Sequence, residues 1–467
     1  MAMNKLDDFD MLLKRKAKED TCYISENLDK GISNTLNSLV ENETYKKPIM
    51  KVAMIATLVA TISGTTVFAS TNPAIRNIVG GIVSYFDSSE DTKYVSDKSS
   101  FEKFNESVGV SSVDKDIKFT VNNIATDDNF INVFYTIESK NEVKMFPNEE
   151  EAKKFSDVYI SKADISKPFL TVSINGKEVG WSNNNNMDAY FQGDKVLKGM
   201  WRFNVSQIEL PKKFDIEIST GEIFRRKGQW KVATSVDKAD IAVATKTAKP
   251  NIKKIIDLGD YKPNITIDKV SISPFGNQII ISEKPTKDKL FNTFAIFDDK
   301  GNNLDVLNTD MKISGFGKST NSFEFIKGNI DMKYITLVPI KFTQDGKANI
   351  EKVDINRLPA TFETTNTGGR VIDKLEIGKN IVKIQYHNKG VQMWDPGFLF
   401  YDDKGNEVDF GKCDGNTSVD RKTGEFTQTI NFDDKKADSS KISKIGTVTG
   451  IQKIDLLKDQ AIKIDLK

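Results

Sequence analysis

Two cysteines and one histidine, His387, are all the thiol and imidazole that 467 residues contain. So few cannot build a disulfide framework, a four-thiolate zinc site or a multi-histidine metal centre, so no metal site is expected, and histidine-based catalysis is left with a single candidate. Net charge is nearly absent as well, since 67 Lys and Arg against 66 Asp and Glu leave +1. A nucleic-acid binder carries a basic excess or stripe, so direct nucleic-acid binding is not expected. Also missing are a Gly-x-Ser-x-Gly turn, a phosphate-cradling glycine loop and a paired-His helix. Carboxylates are too numerous to single out a pair. No catalytic residue, no cofactor and no small-molecule substrate is assigned, and the chain is not expected to be an enzyme. Tryptophan is scarce (4) but phenylalanine is not (29), and 38% hydrophobic residues are enough for packed cores rather than disorder. At roughly 150 residues per domain, about three folded units are expected.

What is present begins with an apolar run, Val52 to Ala69, without a charge. As a helix its 18 residues cover about 27 Å, close to a bilayer core. Ile49 and Met50 extend it, and Lys51 is near enough to the end to snorkel. We expect a transmembrane helix over 49–70. The rival is a cleaved signal peptide, for which Val67-Phe68-Ala69 has the right small-residue spacing. A signal peptide opens on a short basic region, however, and here 48 residues of mixed charge come first. Lys46, Lys47 and Lys51 flank one end of the run, while Arg76, Asp87, Glu90 and Asp91 follow the other. The positive-inside rule places residues 1–48 in the cytoplasm and the remainder outside, as a single-pass protein of the cell membrane. Cys22 and Cys413 then lie on opposite sides and both stay free. Ser63-Gly64 offers an intramembrane protease a weak point, although lipid-embedded helices tolerate small residues in any case.

In the segment 1–48, Leu6, Phe9, Leu12, Leu13 and Ala17 recur at spacings of three and four, as do Ile24, Leu28, Ile32, Leu36 and Leu39-Val40. Both patterns predict short amphipathic helices, with Ser25 placed to cap the second. Fewer than about 40 residues rarely fold unaided, so the apolar faces point to a partner. Phe9, Leu12, Leu13, Ile24, Leu28, Ile32 and Leu36 are the expected partner-binding residues. The plainer alternative is a tether whose helices pair with each other.

Beyond the run, 71–115 reads as a juxtamembrane helix and linker. Asn72 caps it, Pro73 suits its first position, and Ile75, Ile78, Val79, Ile82, Val83 and Phe86 follow at helical intervals, with Gly80-Gly81 weakening its middle. From about 116 the periodicity shortens to two, as in Phe130-Ile-Asn-Val-Phe-Tyr-Thr-Ile-Glu138. The sequence also repeats. Phe294-Ala-Ile-Phe-Asp-Asp-Lys-Gly-Asn302 returns as Phe398-Leu-Phe-Tyr-Asp-Asp-Lys-Gly-Asn406, and Asp268-Lys269 as Asp373-Lys374. Phe323-Glu-Phe325 and Glu425-Phe426 mark a further strand at a similar offset. An upstream copy, not alignable by identity, has the same order: strands around Val121 and Val133, a Thr171–Lys177 hairpin, then Trp201-Arg-Phe203. Three β-sandwiches are therefore expected, at 116–250, 262–345 and 370–467.

Asp-Lys-Gly-Asn is turn chemistry, Gly giving positive φ and Asp bonding its own backbone. The paired acids are also oxygen ligands of the kind calcium takes, but the alternating acids and closing Glu of a calcium loop are missing. Asn183 to Asn186 with Trp181 and Tyr190 reads as a surface loop before a ligand contact, Arg225-Arg226-Lys227 beside Trp230 as a solvated turn, and His387, close to Trp394-Asp395-Pro396-Gly397, as surface or packing.

Taken together, Leu6 to Lys18, the Ile24 to Leu39 helix, the span ending in Val67-Phe68-Ala69 and the Asn72-Pro73-Ala74 start of the outer region resemble a family of single-pass proteins of Gram-positive bacteria. Its members carry a membrane-proximal ectodomain, often followed by immunoglobulin-like sandwiches, and are commonly described as anti-sigma factors. The resemblance covers nearly the whole length. It implies a mainly β protein of tandem immunoglobulin-like β-sandwiches behind a short α-helical cytoplasmic stub and one transmembrane helix. It further implies that the stub sequesters an extracytoplasmic-function sigma factor while the sandwiches sense the envelope. The zinc-dependent subclass, which needs a His and two Cys, is excluded, because only Cys22 lies in the stub. The alternative is a membrane-anchored surface adhesion or cell-wall-binding protein in which the stub is only a stop-transfer tail.

Overall fold

A strand with one face in solvent alternates buried and exposed residues, whereas a strand covered on both faces does not. That distinction organises this molecule. The computed structural model describes residues 83–86 and 94–466, apart from 147, 156–159, 181–185, 260, 285–290, 314–318, 346, 394–396, 412, 433–437 and 451. These residues are mainly β, in several antiparallel sheets, and all belong to one compact unit. None of their helices is long and apolar enough to cross a membrane. The apolar run, the expected helices of 1–48 and Cys22 lie outside the described residues.

The first pair of sheets uses β1 (Glu106–Asp114), β2 (Ile117–Thr126), β3 (Phe130–Ser139), β4 (Thr171–Ile174), β5 (Lys177–Glu178), β6 (Asn186–Gln192), β7 (Val196–Asn204), β8 (Lys213–Ile223) and β9 (Arg226–Asp237). The strand orders are β1-β2-β3-β7-β6 and β5-β4-β8-β9. Phe119, Val133, Tyr135 and Trp201 from one sheet and Ile216, Ile218, Trp230 and Val232 from the other form one core. Trp230 spends its single donor on the Ile117 carbonyl at 2.9 Å, so it is buried without an orphaned polar atom. On β9, buried Trp230, Val232 and Val236 alternate with exposed Lys231, Ser235 and Asp237, as a half-solvated sheet requires. On β3, by contrast, Phe130 through Tyr135 are all buried.

The second pair uses β10 (Lys246–Ala248), β11 (Ile252–Ile255), β12 (Asn264–Ile272), β13 (Asn277–Glu283), β14 (Phe294–Phe297), β15 (Asn303–Leu304), β16 (Val306–Ile313), β17 (Ser319–Phe325) and β18 (Tyr334–Asp345). One sheet runs β10-β12-β13-β17-β16, and β15-β14-β18 faces it. Every residue of β13 is buried, as are the first six of β3. The third pair uses β19 (Asn349–Asp354), β20 (Ala360–Thr365), β21 (Gly368–Ile377), β22 (Ile381–Gly390), β23 (Leu399–Tyr401), β24 (Cys413–Val419), β25 (Glu425–Phe432) and β26 (Lys444–Thr449). Its sheets are β20-β21-β22-β25-β24 and β19-β26-β23 around Phe362, Ile384, Tyr386, Phe400 and Ile445. Here β22 alternates again, so its outer face is open. Two strands follow: β27 (Gln452–Leu456) pairs with the second half of β18, and β28 (Ile462–Asp465) with its first half, Tyr334–Leu337.

The internal repeat is a repeat of structure. The strands β2, β12 and β21 each carry a bulge, at Asn122, Asp268 and Asp373. In each case the bulged residue accepts a hydrogen bond from the strand beside it, fourteen residues on: from Thr136 at 2.8 Å, from Ser282, and in the third pair opposite His387 Nδ1 at 2.7 Å. The lone histidine thus occupies a repeated structural position, half-exposed on the surface. The Asp-Lys-Gly-Asn loops are also superimposable in their bonding. Asp298 N–H donates to Asn302 O and Asp402 N–H to Asn406 O, both at 2.9 Å, with Gly301 and Gly405 at φ +83° and +87°.

Several boundaries differ from the expected ones. The linker of 71–115 contains β1, which forms the edge of the first sheet, and buried Tyr85, Phe86, Tyr94 and Phe101. A bulge between Ser107 and Val110, with Gly109 at φ +63°, interrupts the alternation that would have announced this strand. The first unit ends at Asp237 rather than 250, and the second begins at Lys246 rather than 262. The third begins upstream of 370, at β19 and β20, and its last expected strand, β28, completes the second unit. Pairing, not chain order, assigns a strand to a sheet.

Candidate functional site

The sheets of the first two units meet beside β3 and β13, through the neighbouring strands β7 and β17. Arg202 projects from β7, where it faces Asn132 of β3; Glu324 projects from β17, where it faces Gln278 of β13. Asn132 and Gln278 stand equally far past the bulges at Asn122 and Asp268, so Arg202 and Glu324 occupy equivalent positions of the first two units. They meet. Arg202 Nη1 and Nη2 donate to the Glu324 carboxylate at 3.0 and 2.8 Å, and Nη2 also donates to Phe275 O at 2.6 Å. The guanidinium lies 3.3 Å from the Phe130 ring centroid. The equivalent positions Asp127 and Ser273 also meet, the Ser273 hydroxyl donating to the Asp127 carboxylate. Contact between a position and its own equivalent is what a two-fold axis produces, so the first two units pair pseudo-symmetrically through the same sheet face.

Gly276 makes this approach possible. Its φ is +137°, and a Cβ there would stand 2.6 Å from Arg202 Nη2, 2.8 Å from Phe130 and 2.9 Å from Glu324 Oε1. Further bonds close the junction: Asn129 Nδ2 to Gly276 O at 2.9 Å, Asn204 Nδ2 to Ser322 Oγ at 3.1 Å, and Lys269 Nζ to the carbonyls of Asp128 and Ser206, both at 3.1 Å.

Two more segments reach the same carboxylate. In the turn between β24 and β25, Arg421 Nε donates to Glu324 Oε1 at 3.2 Å and Nη1 to Asp97, while Lys327 N–H donates to Arg421 O at 2.8 Å. Asp97 immediately precedes the short helix α1 (Lys98–Lys103), and Tyr94 places its ring 5.5 Å from the Arg421 guanidinium. The result is a node of four charges, two of each sign, drawn from all three units and from the segment that precedes the first, with Arg202 and Glu324 fully buried and Arg421 and Asp97 mostly so.

Electrostatics within the node follow from burial and pairing. Burial raises the Glu324 pKa, but the guanidinium groups of Arg202 and Arg421 outweigh it and hold the carboxyl at about 2. Burial wins at Asp127, whose carboxyl stays above its ordinary range despite the Ser273 hydroxyl and the N–H groups of Phe130 and Asn129. Such a node is a lock, not a reaction centre. Its groups are committed to one another.

The other candidates are structural. Asp298 accepts from Lys300 N–H, Asn302 N–H and Asn302 Nδ2, and Asp402 accepts from Asn406 N–H and Nδ2, so these carboxylates hold their own turns. Among the described residues no cluster of three His, Cys, Asp or Glu is placed to hold a metal ion. Arg225 sits at φ +61° in a tight turn, and Cys413 is free and exposed on β24. Trp181, Asn183 and Trp394 to Pro396 lie outside the described residues, as do Phe9, Leu12, Leu13, Ile24, Leu28, Ile32 and Leu36.

Sequence reading missed the node, because Arg202 and Glu324 look like solvent-facing residues of alternating strands. The signal lay in their neighbours. Phe130–Tyr135 and Ile279-Ile280-Ile281 are too continuously apolar for sheets wet on one side.

Residues 44–139 match a domain of unknown function, DUF4179. Residues 245–366 match a second family of unknown function, DUF5643. The first match runs from before the apolar run to the last residue of β3, and the second from β10 to just past β20. Among solved structures, a conserved domain protein from Bacillus anthracis is similar at 14% identity over 59% of this chain and 89% of that one, with a TM-score of 0.37. The N-terminal eight Ig domains of Down Syndrome Cell Adhesion Molecule match at 10% identity over 77% and 47%, with a TM-score of 0.14. Scores this low carry no argument. No curated protein matches.

Proposed function

We propose that this chain is a single-pass membrane signalling protein, an anti-sigma factor that holds an extracytoplasmic-function sigma factor through its N-terminal helices. Its three two-sheet units are immunoglobulin-like sandwiches facing the envelope, with the N-terminus in the cytoplasm. One observation carries the reading. Ahead of β1, the described residues are packed against the units: Tyr85, Phe86, Tyr94 and Phe101 are buried, and Asp97 is bonded to Arg421 of the third unit. A surface anchor needs only slack chain at that point, whereas a sensor needs its outer part joined firmly to its span. The match of 44–139 to one family supports this, since it joins the run and the first three strands in one conserved unit. The test is co-purification of residues 1–48 with a sigma factor encoded nearby. Capture is expected, and Leu12→Asp and Leu28→Asp should abolish it. Absence of capture, or capture indifferent to both substitutions, overturns the proposal.

A further inference from the structure

The node contains an asymmetry in what each segment supplies. The first and second units contribute Arg202 and Glu324, which neutralise each other. The third contributes only a cation, Arg421, and the segment before β1 only an anion, Asp97. With Asp97 withdrawn, two guanidinium groups, Arg202 fully and Arg421 mostly out of water, face one carboxylate, and an uncompensated charge removed from water is unfavourable. With Arg421 withdrawn, Asp97 is the unpaired one. Neither segment is stable at the node without the other.

The remaining contacts make the same segment bridge all three units. Tyr85 donates to Asp188 of β6 at 2.5 Å, and Tyr190 of β6 donates to Tyr85 O. Phe101 stacks on Phe275 of the second unit, centroids 5.1 Å apart, and meets Phe134 of the first edge-on at 5.2 Å. Ser96 Oγ donates to Val419 O of the third at 3.2 Å.

We propose that residues 94–104, with Tyr85 and Phe86, are a latch that docks only together with the Asp420–Gly424 turn of the third unit, so that displacing either one releases both. A pull on the chain ahead of β1 then loosens the third unit, and a ligand that displaces the turn loosens the attachment to the span, with reciprocal coupling. The device stands whether or not the N-terminal helices bind a sigma factor.

Hydrogen exchange on the full-length chain in detergent tests it. Asp97→Asn keeps the shape and removes the charge. It should speed exchange about tenfold in both 94–104 and 419–425, while amides of β8 and β9 stay at wild-type rates and report an intact first unit. Adding Arg421→Gln restores charge balance, so exchange in the double variant should be no faster than in Asp97→Asn alone. Should Asp97→Asn fail to fold, Arg421→Gln puts the question from the other side, and must loosen 94–104. Faster exchange confined to the segment that carries the substitution, or additive effects in the double variant, overturns the latch.

Discussion

Replacing Glu324 by Gln removes one negative charge from the centre of the molecule and almost nothing else. The side chain is fully buried and accepts from both Arg202 nitrogens and from Arg421 Nε. After the change, two guanidinium groups share Asp97, and the Arg202 fork faces an amide that presents one acceptor where there were two. Breaking a buried pair by removing one partner typically costs about 3–5 kcal/mol, against roughly 0–1 kcal/mol for an exposed pair. The Lys118–Glu138 pair, with side chains 48% and 47% exposed, is therefore the matched control, and Glu138→Gln should be nearly silent. Urea unfolding of the full chain, followed by tryptophan fluorescence, measures the loss. Glu324→Gln with Arg202→Met leaves the balanced pair Arg421–Asp97, so the double variant should regain much of the loss. A cost below about 1 kcal/mol for Glu324→Gln, or simple addition in the double, would refute the claim that charge balance holds the units together.

Two further outcomes follow from the same geometry. Glu324 is held at about 2, below its ordinary range, so its stabilising contribution is present above that range and lost only as pH falls through about 2. Asp127 is raised, so its contribution is full below the ordinary aspartate range and is lost as pH rises through its folded value. The urea midpoint should accordingly hold or rise from pH 7 to 5; a fall across that window would contradict the assignment. Gly276→Ala forces a side chain at positive φ into Arg202, Phe130 and Glu324 and should lower stability by roughly 2–5 kcal/mol, whereas Gly180→Ala, with nothing within 4 Å, should be neutral in the same assay.

Much of the architecture was legible in the chain. The Asp-Lys-Gly-Asn turns, the Asn175-Gly176 hairpin and the Asp268/Asp373 correspondence are local signals, and local signals survive folding because turns and bulges are set by the residues in them. The upstream copy, not alignable by identity, carries the same bulge at Asn122 with the same partner spacing. Phe323-Glu-Phe325 and Glu425-Phe426 did mark equivalent strands, but not in register. Across from Ile281 stands Asn321, and across from the matching Tyr386 stands Phe426, so the shared Glu-Phe pair is coincidental. The node was illegible for a different reason. Arg202, Glu324, Arg421 and Asp97 come from four distant segments, and no periodicity within one segment says that a second sheet will cover its outer face. Residues 94–104 read as linker because two buried aromatics, Tyr94 and Phe101, spread among polar residues make no period.

The position of β28 has a consequence for how the molecule is made. Ile462–Asp465 lies against Tyr334–Leu337, and Leu466 N–H donates to Lys333 O, so residues beyond the third unit finish a layer begun ahead of it. The third unit is thereby an insertion, entering and leaving through its neighbour. During N-to-C synthesis the second unit waits, one sheet edge bare, until Ile462–Asp465 emerges. Truncation ahead of Ile462 would strike the second unit and leave the strands of the third in place.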